Sequence, residues 1–216
     1  MNTEPTLLYL HGFNSASSSH KARVLQAMMT RLNRGAQFLA PDLPHRPAQA
    51  IALLQTLIEQ IPKTSTLVGS SLGGYYATYL AERHDLKAVL INPAVAPYRL
   101  LAPLLGPQKN YYTGESYEFT AQHLEELEAL EIAVLHPEHY FLLVQTGDEV
   151  LDYRDALARY VGAKQSVIPG GDHGFQQFEN YLDDILAFAG IVSSVDWACS
   201  RCFRPKKEWG VFTRRM

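Results

Sequence analysis

Thr66-Leu67-Val68-Gly69-Ser70-Ser71-Leu72-Gly73-Gly74-Tyr75-Tyr76-Ala77-Thr78-Tyr79-Leu80 is the stretch from which the fold is read. Thr66, Leu67 and Val68 make the short run of a buried strand, and the residues from Gly74 onward read as a helix. Between them stands G-x-S-x-G, with Ser71 at its centre. A serine in such a turn sits in a strained backbone conformation with its hydroxyl exposed, the arrangement called a nucleophile elbow. Gly69 and Gly73 leave room for the turn and for close packing of helix on strand. The Ser71 hydroxyl then stands at a helix N-terminus, where unpaired backbone N–H groups favour developing negative charge.

The sequence on either side repeats the strand–helix rhythm. Strand-length apolar runs occur at 6–10, 36–40, 66–69, 87–91, 140–145 and 164–168, none with the polar alternation of a half-solvated strand. Helical stripes separate them: Leu25, Met28, Met29 and Leu32; Ala50, Leu54, Leu57, Ile58 and Ile61; Phe175, Phe178, Leu182, Ile185 and Phe188. Strands joined by crossover helices predict an α/β protein, a mostly parallel sheet of about six strands with helices on both faces. One connection is out of proportion. Residues 92–139 carry Pro93, Pro97, Pro103 and Pro107, a tyrosine-rich piece with Tyr111, Tyr112 and Tyr117, and a predicted helix over 121–130. Connections of this length usually serve as lids or binding loops.

Composition narrows the class of function. The chain has 216 residues, 47% hydrophobic and 19% charged, which suits one domain with a sizeable core. Its formal net charge of −3 offers nucleic acid no electrostatic attraction. No apolar run approaches the roughly 18 residues of a membrane span, and residues 1–10 lack a signal-peptide pattern, so the expected setting is the cytoplasm. Both cysteines, Cys199 and Cys202, fall in the segment 192–216, which carries a net charge of +4 against −7 for the rest. The domain reading is therefore 1–191, followed by a basic tail of unassigned role.

A serine needs a base, and the base needs an orienting acid. Gly170-Gly171-Asp172-His173-Gly174-Phe175 follows the last strand-like run, which puts His173 in a loop at the C-terminal edge of the sheet, the edge where open parallel sheets bind ligands. Gln145-Thr146-Gly147-Asp148-Glu149-Val150 follows the preceding run, with Asp148 the first carboxylate beyond it. Asp152 is its rival and Asp172 a weaker one. The order Ser71, Asp148, His173 is that of the α/β-hydrolase fold. Two backbone donors complete the set: the N–H of Leu72 after the nucleophile and that of Phe13 in Leu10-His11-Gly12-Phe13-Asn14. His11 reads as structural, bonded within its own loop. Tyr98, Tyr111, Tyr112, Tyr117 and Phe119 are candidates to line an acyl pocket, and Arg99 and Lys109 to meet a CoA phosphate. Neither cofactor nor metal is expected. His123, Glu126, His136 and His139 make no H-E-x-x-H, Cys199 and Cys202 are half a zinc site, and no dinucleotide or P-loop motif occurs.

Tyr9-Leu10-His11-Gly12-Phe13-Asn14-Ser15, Pro41-Asp42-Leu43-Pro44, Gly69-Ser70-Ser71-Leu72-Gly73-Gly74, Thr146-Gly147-Asp148-Glu149-Val150-Leu151-Asp152-Tyr153 and Gly170-Gly171-Asp172-His173 together resemble the bacterial YqiA-like esterases. The similarity runs from about residue 6 to 191, and 192–216 has no counterpart. The resemblance implies a compact α/β-hydrolase lacking the first two strands of the full superfamily sheet. It also implies cofactor-free cleavage of acyl esters, acyl-CoA thioesters among them, with nucleophile, histidine and acid on Ser71, His173 and Asp148. The alternative is a binding protein on the same fold with its triad unused, since fold alone does not dictate chemistry.

Overall fold

A computed structural model describes residues 4–191. The basic segment 192–216, with Cys199 and Cys202, lies outside the described residues. In chain order the strands are β1 (Leu7–Leu10), β2 (Phe38–Leu39), β3 (Thr66–Ser70), β4 (Lys87–Ile91), β5 (Gly106–Lys109), β6 (Ser116–Phe119), β7 (Tyr140–Gln145) and β8 (Lys164–Ile168). The helices are α1 (His20–Arg31), α2 (Pro47–Ile58), α3 (Leu72–His84), α4 (Pro97–Leu100), α5 (Ala121–Glu128), α6 (Tyr153–Arg159) and α7 (Leu182–Phe188). Six strands form one parallel sheet in the order β2-β1-β3-β4-β7-β8, while β5 and β6 pair apart from it as an antiparallel hairpin.

The two-residue period of the strands divides the core. Leu8, Leu10, Leu67, Leu90, Leu142 and Val144 pack on one face against α2, α3, α5 and α6. Leu7, Tyr9, Val68, Val89, Ile91, Phe141 and Leu143 point the other way, onto α1 and α7. Burial on both faces is why the inner strands read as unbroken apolar runs. Each helix contributes its apolar stripe, for example Ala50, Ile51, Leu54 and Ile58 of α2.

Three sequence expectations change at the edges. The run 36–40 is mostly not strand: a 3-10 turn takes Gly35–Gln37 and leaves β2 two residues long. β8 is no buried strand, for Lys164 and Val167 are exposed, as befits an edge strand with a single neighbour. The stripe from Phe175 to Phe188 is not one helix. Phe175 and Gln177 have φ of +62° and +57°, which breaks the chain before a 3-10 turn (Phe178–Tyr181) leads into α7. Among the described residues, no helix is long and apolar enough to cross a membrane.

What matters for function is where the strands stop. Register pairs Leu10 with Gly69, Ser70 with Ile91, Ile91 with Leu143 and Gln145 with Ile168. The C-terminal ends are therefore nearly level, and the loops that follow β1, β3, β4, β7 and β8 meet on one rim.

Candidate active site

Ser71 lies between β3 and α3 with φ 55° and ψ −120°, a conformation that a non-glycine residue adopts only where its surroundings impose it. Those surroundings are backbone. Ser71 N–H donates to the Ile91 carbonyl (3.0 Å), and the Ser71 carbonyl accepts from Ala94 N–H (3.1 Å) and Gly74 N–H (2.9 Å). The elbow tolerates no side chain at Gly69 or Gly73. A Cβ at Gly69 would strike the Gly73 carbonyl, and one at Gly73 would strike the Leu10 carbonyl on β1.

The three polar groups expected at the rim meet. His173 Nε2 is 3.0 Å from Ser71 Oγ, and His173 Nδ1 is 3.0 and 2.9 Å from the two oxygens of Asp148. An ionised carboxylate only accepts, so Nδ1 carries the proton and Nε2 accepts from the serine hydroxyl. The Asp148 side chain is 2% exposed. Burial alone would push its carboxyl up; the bond from His173 and those from Leu151 and Val150 N–H outweigh burial and hold it below the ordinary carboxylate value. Asp152 is engaged elsewhere. It caps α6 by accepting from Arg154 N–H and pairs with the Arg154 guanidinium. Asp172 accepts from Gln176 rather than from His173.

The β1 loop closes over the serine. A Cβ at Gly12 would stand 3.2 Å from Ser71 Cβ and 3.7 Å from Oγ. Leu72 opens α3, so its N–H is among those a helix leaves unpaired, and no acceptor among the described residues takes it or the Phe13 N–H. His11 does more than bond within its loop. Its Nε2 accepts from Leu43 N–H (2.9 Å) while Nδ1 faces the Gly12 carbonyl (3.0 Å), so the ring ties the β1 loop to the β2–α2 loop. Burial first of all holds this histidine below its ordinary value, which suits a neutral structural tie.

The β5–β6 hairpin is stapled to the β1 loop: Tyr117 OH donates to Asn14 Oδ1 (2.7 Å), Asn14 Nδ2 to Gln108 Oε1 (3.1 Å) and Asn110 Nδ2 to the Ser15 carbonyl (2.8 Å). Beneath it is a small cleft of about 40 Å³, lined by Gly12, Phe13, Leu72, Tyr76, His45 and Tyr117 among others. Of the aromatics read as pocket candidates, Tyr117 alone lines it. Tyr111 and Tyr112 are exposed, Phe119 is buried against Phe13, and Tyr98 packs on the core. A second, wider groove of about 760 Å³ is lined by Pro93, Val95, Arg99, Val150, Leu151 and Arg159 among others. Arg99 thus belongs to this groove, and Lys109 lies exposed on β5.

The residues weighed as metal ligands have other partners. His123 bonds to Thr120 and His45, Glu126 pairs with Arg46, and His136 and His139 face Glu82 and Asp85. Among the described residues no cluster of three or more His, Cys, Asp or Glu is placed to hold a metal ion. Two functional candidates escape the motifs: the buried amides Asn92 and Gln145, on the same rim. Asparagine directly before proline at the end of an apolar run is the one local sign of the first. The second is the last residue of β7 and carries no such sign.

Residues 6–190 match the profile described as Uncharacterised protein family (UPF0227). The chain belongs to this family. That agrees with the YqiA-like resemblance of the five motifs. A UPF0227 protein of Shewanella woodyi is 30% identical over 95 residues, covering 42% of this chain and 52% of the relative. The UPF0227 protein YcfP of Escherichia coli O139:H28 is 28% identical over 97 residues, or 43% and 52% of the two chains. Measured by these alignments, the chain spans about half the length of the curated UPF0227 relatives it matches. Solved structures share the fold. A putative hydrolase from Agrobacterium vitis superposes with a TM-score of 0.66 at 20% identity, covering 86% of this chain and 88% of that one. Est1E from Butyrivibrio proteoclasticus, in a structure with ferulic acid bound, gives 0.62 at 12% identity, with 86% and 89% covered. This UPF0227 chain has the α/β-hydrolase fold.

Proposed function

We propose that residues 1–191 form a serine hydrolase domain that cleaves small acyl esters, acyl-CoA thioesters included, through an acyl-enzyme. The observation that carries the reading is the hydrogen-bond line from Ser71 Oγ through the His173 ring to Asp148, on a serine held at φ 55°. In the first half-reaction His173 Nε2 takes the proton of Ser71 Oγ as the oxygen attacks the acyl carbonyl. The N–H groups of Leu72 and Phe13 stabilise the oxyanion, a contribution of about 100- to 1,000-fold per donor in enzymes of this type. The imidazolium, steadied by Asp148, gives the proton to the departing alkoxide or thiolate. Water then repeats the sequence on the acyl-enzyme, with His173 taking its proton and returning one to Ser71.

The two clefts suit the two halves of such a substrate. The small cleft is lined by Phe13 and Leu72, whose N–H groups are the proposed oxyanion donors, and by the hairpin. The acyl part fits there, with 92–139 as its cover. The wider groove beside Val150 and Leu151 has room for the alcohol or thiol, and Arg99 offers it a cation.

A fluorophosphonate probe followed by peptide mapping tests the reading. Labelling is expected at Ser71, lost in Ser71→Ala and in His173→Ala, with the fold retained in both. Folded protein that takes no label and turns over neither p-nitrophenyl butyrate nor butyryl-CoA would refute it and favour a binding role on the same fold.

A further inference from the structure

The base in this site sits in a loop, and its ring must hold a hydrogen bond to Ser71. The restraint comes from two amide side chains below the rim. Asn92, 2% exposed at the end of β4, donates from Nδ2 to the carbonyls of Asp172 (3.0 Å) and His173 (3.3 Å). Its Oδ1 accepts from Gln145 N–H (3.0 Å). A backbone N–H can only donate, so the amide cannot be the other way round. Gln145, 3% exposed, accepts at Oε1 from Asp172 N–H (3.2 Å) and Gln176 N–H (2.8 Å), and donates from Nε2 to the Gln176 carbonyl (2.8 Å). Two more side chains add outer ties, Glu149 to His173 N–H and Lys21 to the Gly174 carbonyl.

Asn92 also belongs to the segment that holds the nucleophile. Ile91 O and Ala94 N–H, on either side of it, bond the two main-chain groups of Ser71. Asn92 itself has φ +40°, a left-handed conformation that asparagine tolerates better than other side chains. The turn lets one four-residue stretch grip Ser71 by its backbone and the His173 loop by a side chain. We propose that Asn92, with Gln145 behind it, is the positioning residue that sets the His173–Ser71 separation of 3.0 Å. It acts through backbone carbonyls and touches neither Ser71 Oγ nor the ring. An aspartate could not replace it, because a carboxylate oxygen would face two carbonyl oxygens.

The proposal rests on the serine-hydrolase reading for its kinetic test and stands apart from it for its spectroscopic one. In Asn92→Ala, a displacement of the ring by about 1 Å should lower kcat for p-nitrophenyl butyrate roughly 100-fold, with KM little changed. In Asn92→Asp the loss should match at pH 8 and recede in acid. A protonated carboxyl can again donate to the carbonyls, and burial among acceptors raises its pKa. The ratio of variant to wild-type kcat should therefore rise roughly tenfold on going from pH 8 to pH 5.5. A loss of fold does not mimic that rise. The Nδ1 proton of His173, followed by NMR without substrate, should shift or broaden in both variants at pH 8. If Asn92→Ala does not fold, Asn92→Asp and Gln145→Met carry the test. A flat ratio across pH, a kcat within threefold of wild type, or an unmoved Nδ1 proton would overturn the clamp. Wild-type protein with no turnover above Ser71→Ala would refute the hydrolase reading instead, and the proton signal alone would then decide the clamp.

Discussion

Replacing Asp148 by asparagine tests the proposed triad at its most specific bond. Asp148 Oδ1 already accepts from Val150 N–H (2.9 Å) and Leu151 N–H (2.8 Å). In Asp148→Asn those two donors will hold the amide oxygen, which turns the NH₂ group toward His173 Nδ1. Nδ1 then meets that donor at 2.9 Å, beside an amide oxygen at 3.0 Å already taken by two N–H groups, which favours the tautomer with the proton on Nε2, and in that form Nε2 no longer takes the Ser71 proton. Flipping the amide would restore the useful tautomer but strand both N–H groups against a donor. Stranding a donor costs about 1–3 kcal/mol, and with Val150 exposed the lower part of that range applies, about 2–4 kcal/mol for the pair. The competent flipped state is then rarer by roughly 30-fold to 1,000-fold, and the loss in kcat for p-nitrophenyl butyrate should lie at or beyond that range. KM should barely move, and the tautomer change should be visible in the ring nitrogen shifts of His173. Asp152→Asn, which alters a helix cap, an exposed ion pair and one wall of the wider groove but no bond to His173, should change kcat by no more than a few fold. A loss below tenfold in Asp148→Asn, or an equal loss in Asp152→Asn, would refute the reasoning.

Other outcomes follow from the same contacts. Because the Asp148 carboxyl sits below its unfolded value, its contribution to stability is full above the ordinary carboxylate range and lost as pH falls through the folded value; urea midpoints from pH 7 to pH 3 should fall more steeply in wild type than in Asp148→Asn. Lys21 behaves oppositely. Burial, more than the nearby Asp172 and Asp148 can offset, lowers its pKa from 10.5 to about 8, so the unfolded chain binds the extra proton between those values. Stability relative to Lys21→Met should therefore rise between pH 8 and pH 10.5, and a flat difference would remove the buried amine from the account. Gly73→Ala places a methyl against the Leu10 carbonyl, backbone that cannot swing aside, and should lower stability by about 3 kcal/mol or prevent folding, read by thermal melting. Phe141→Ala empties a fully buried site on β7 and should cost about 3–5 kcal/mol in the same assay, leaving kcat of the folded fraction unchanged.

Local chemistry and strand period are legible in the order of the residues alone. Buried parallel strands must be apolar on both faces, so the inner strands are legible as runs. The G-x-S-x-G turn is legible because only glycine fits where α3 crosses β3 and β1. Ser71, His173 and Asp148 are legible as loop residues following strands, since a parallel sheet brings every such loop to one edge. Legibility failed where neighbours decide. β2 and β8 lie at the edges, where one partner strand is missing and the burial pattern weakens. The hairpin within 92–139 owes its place to side-chain bonds with Asn14 and Ser15, far away in the chain. The choice between Asp148 and Asp152 rested on which carboxylate the folded loop turns toward the imidazole, four residues being one turn of chain apart and opposite in partner. Asn92 and Gln145 illustrate the limit most clearly. Their amides matter only because register sets the ends of β4 and β7 beneath the loop that follows β8, and no local pattern records a bond made across three strands.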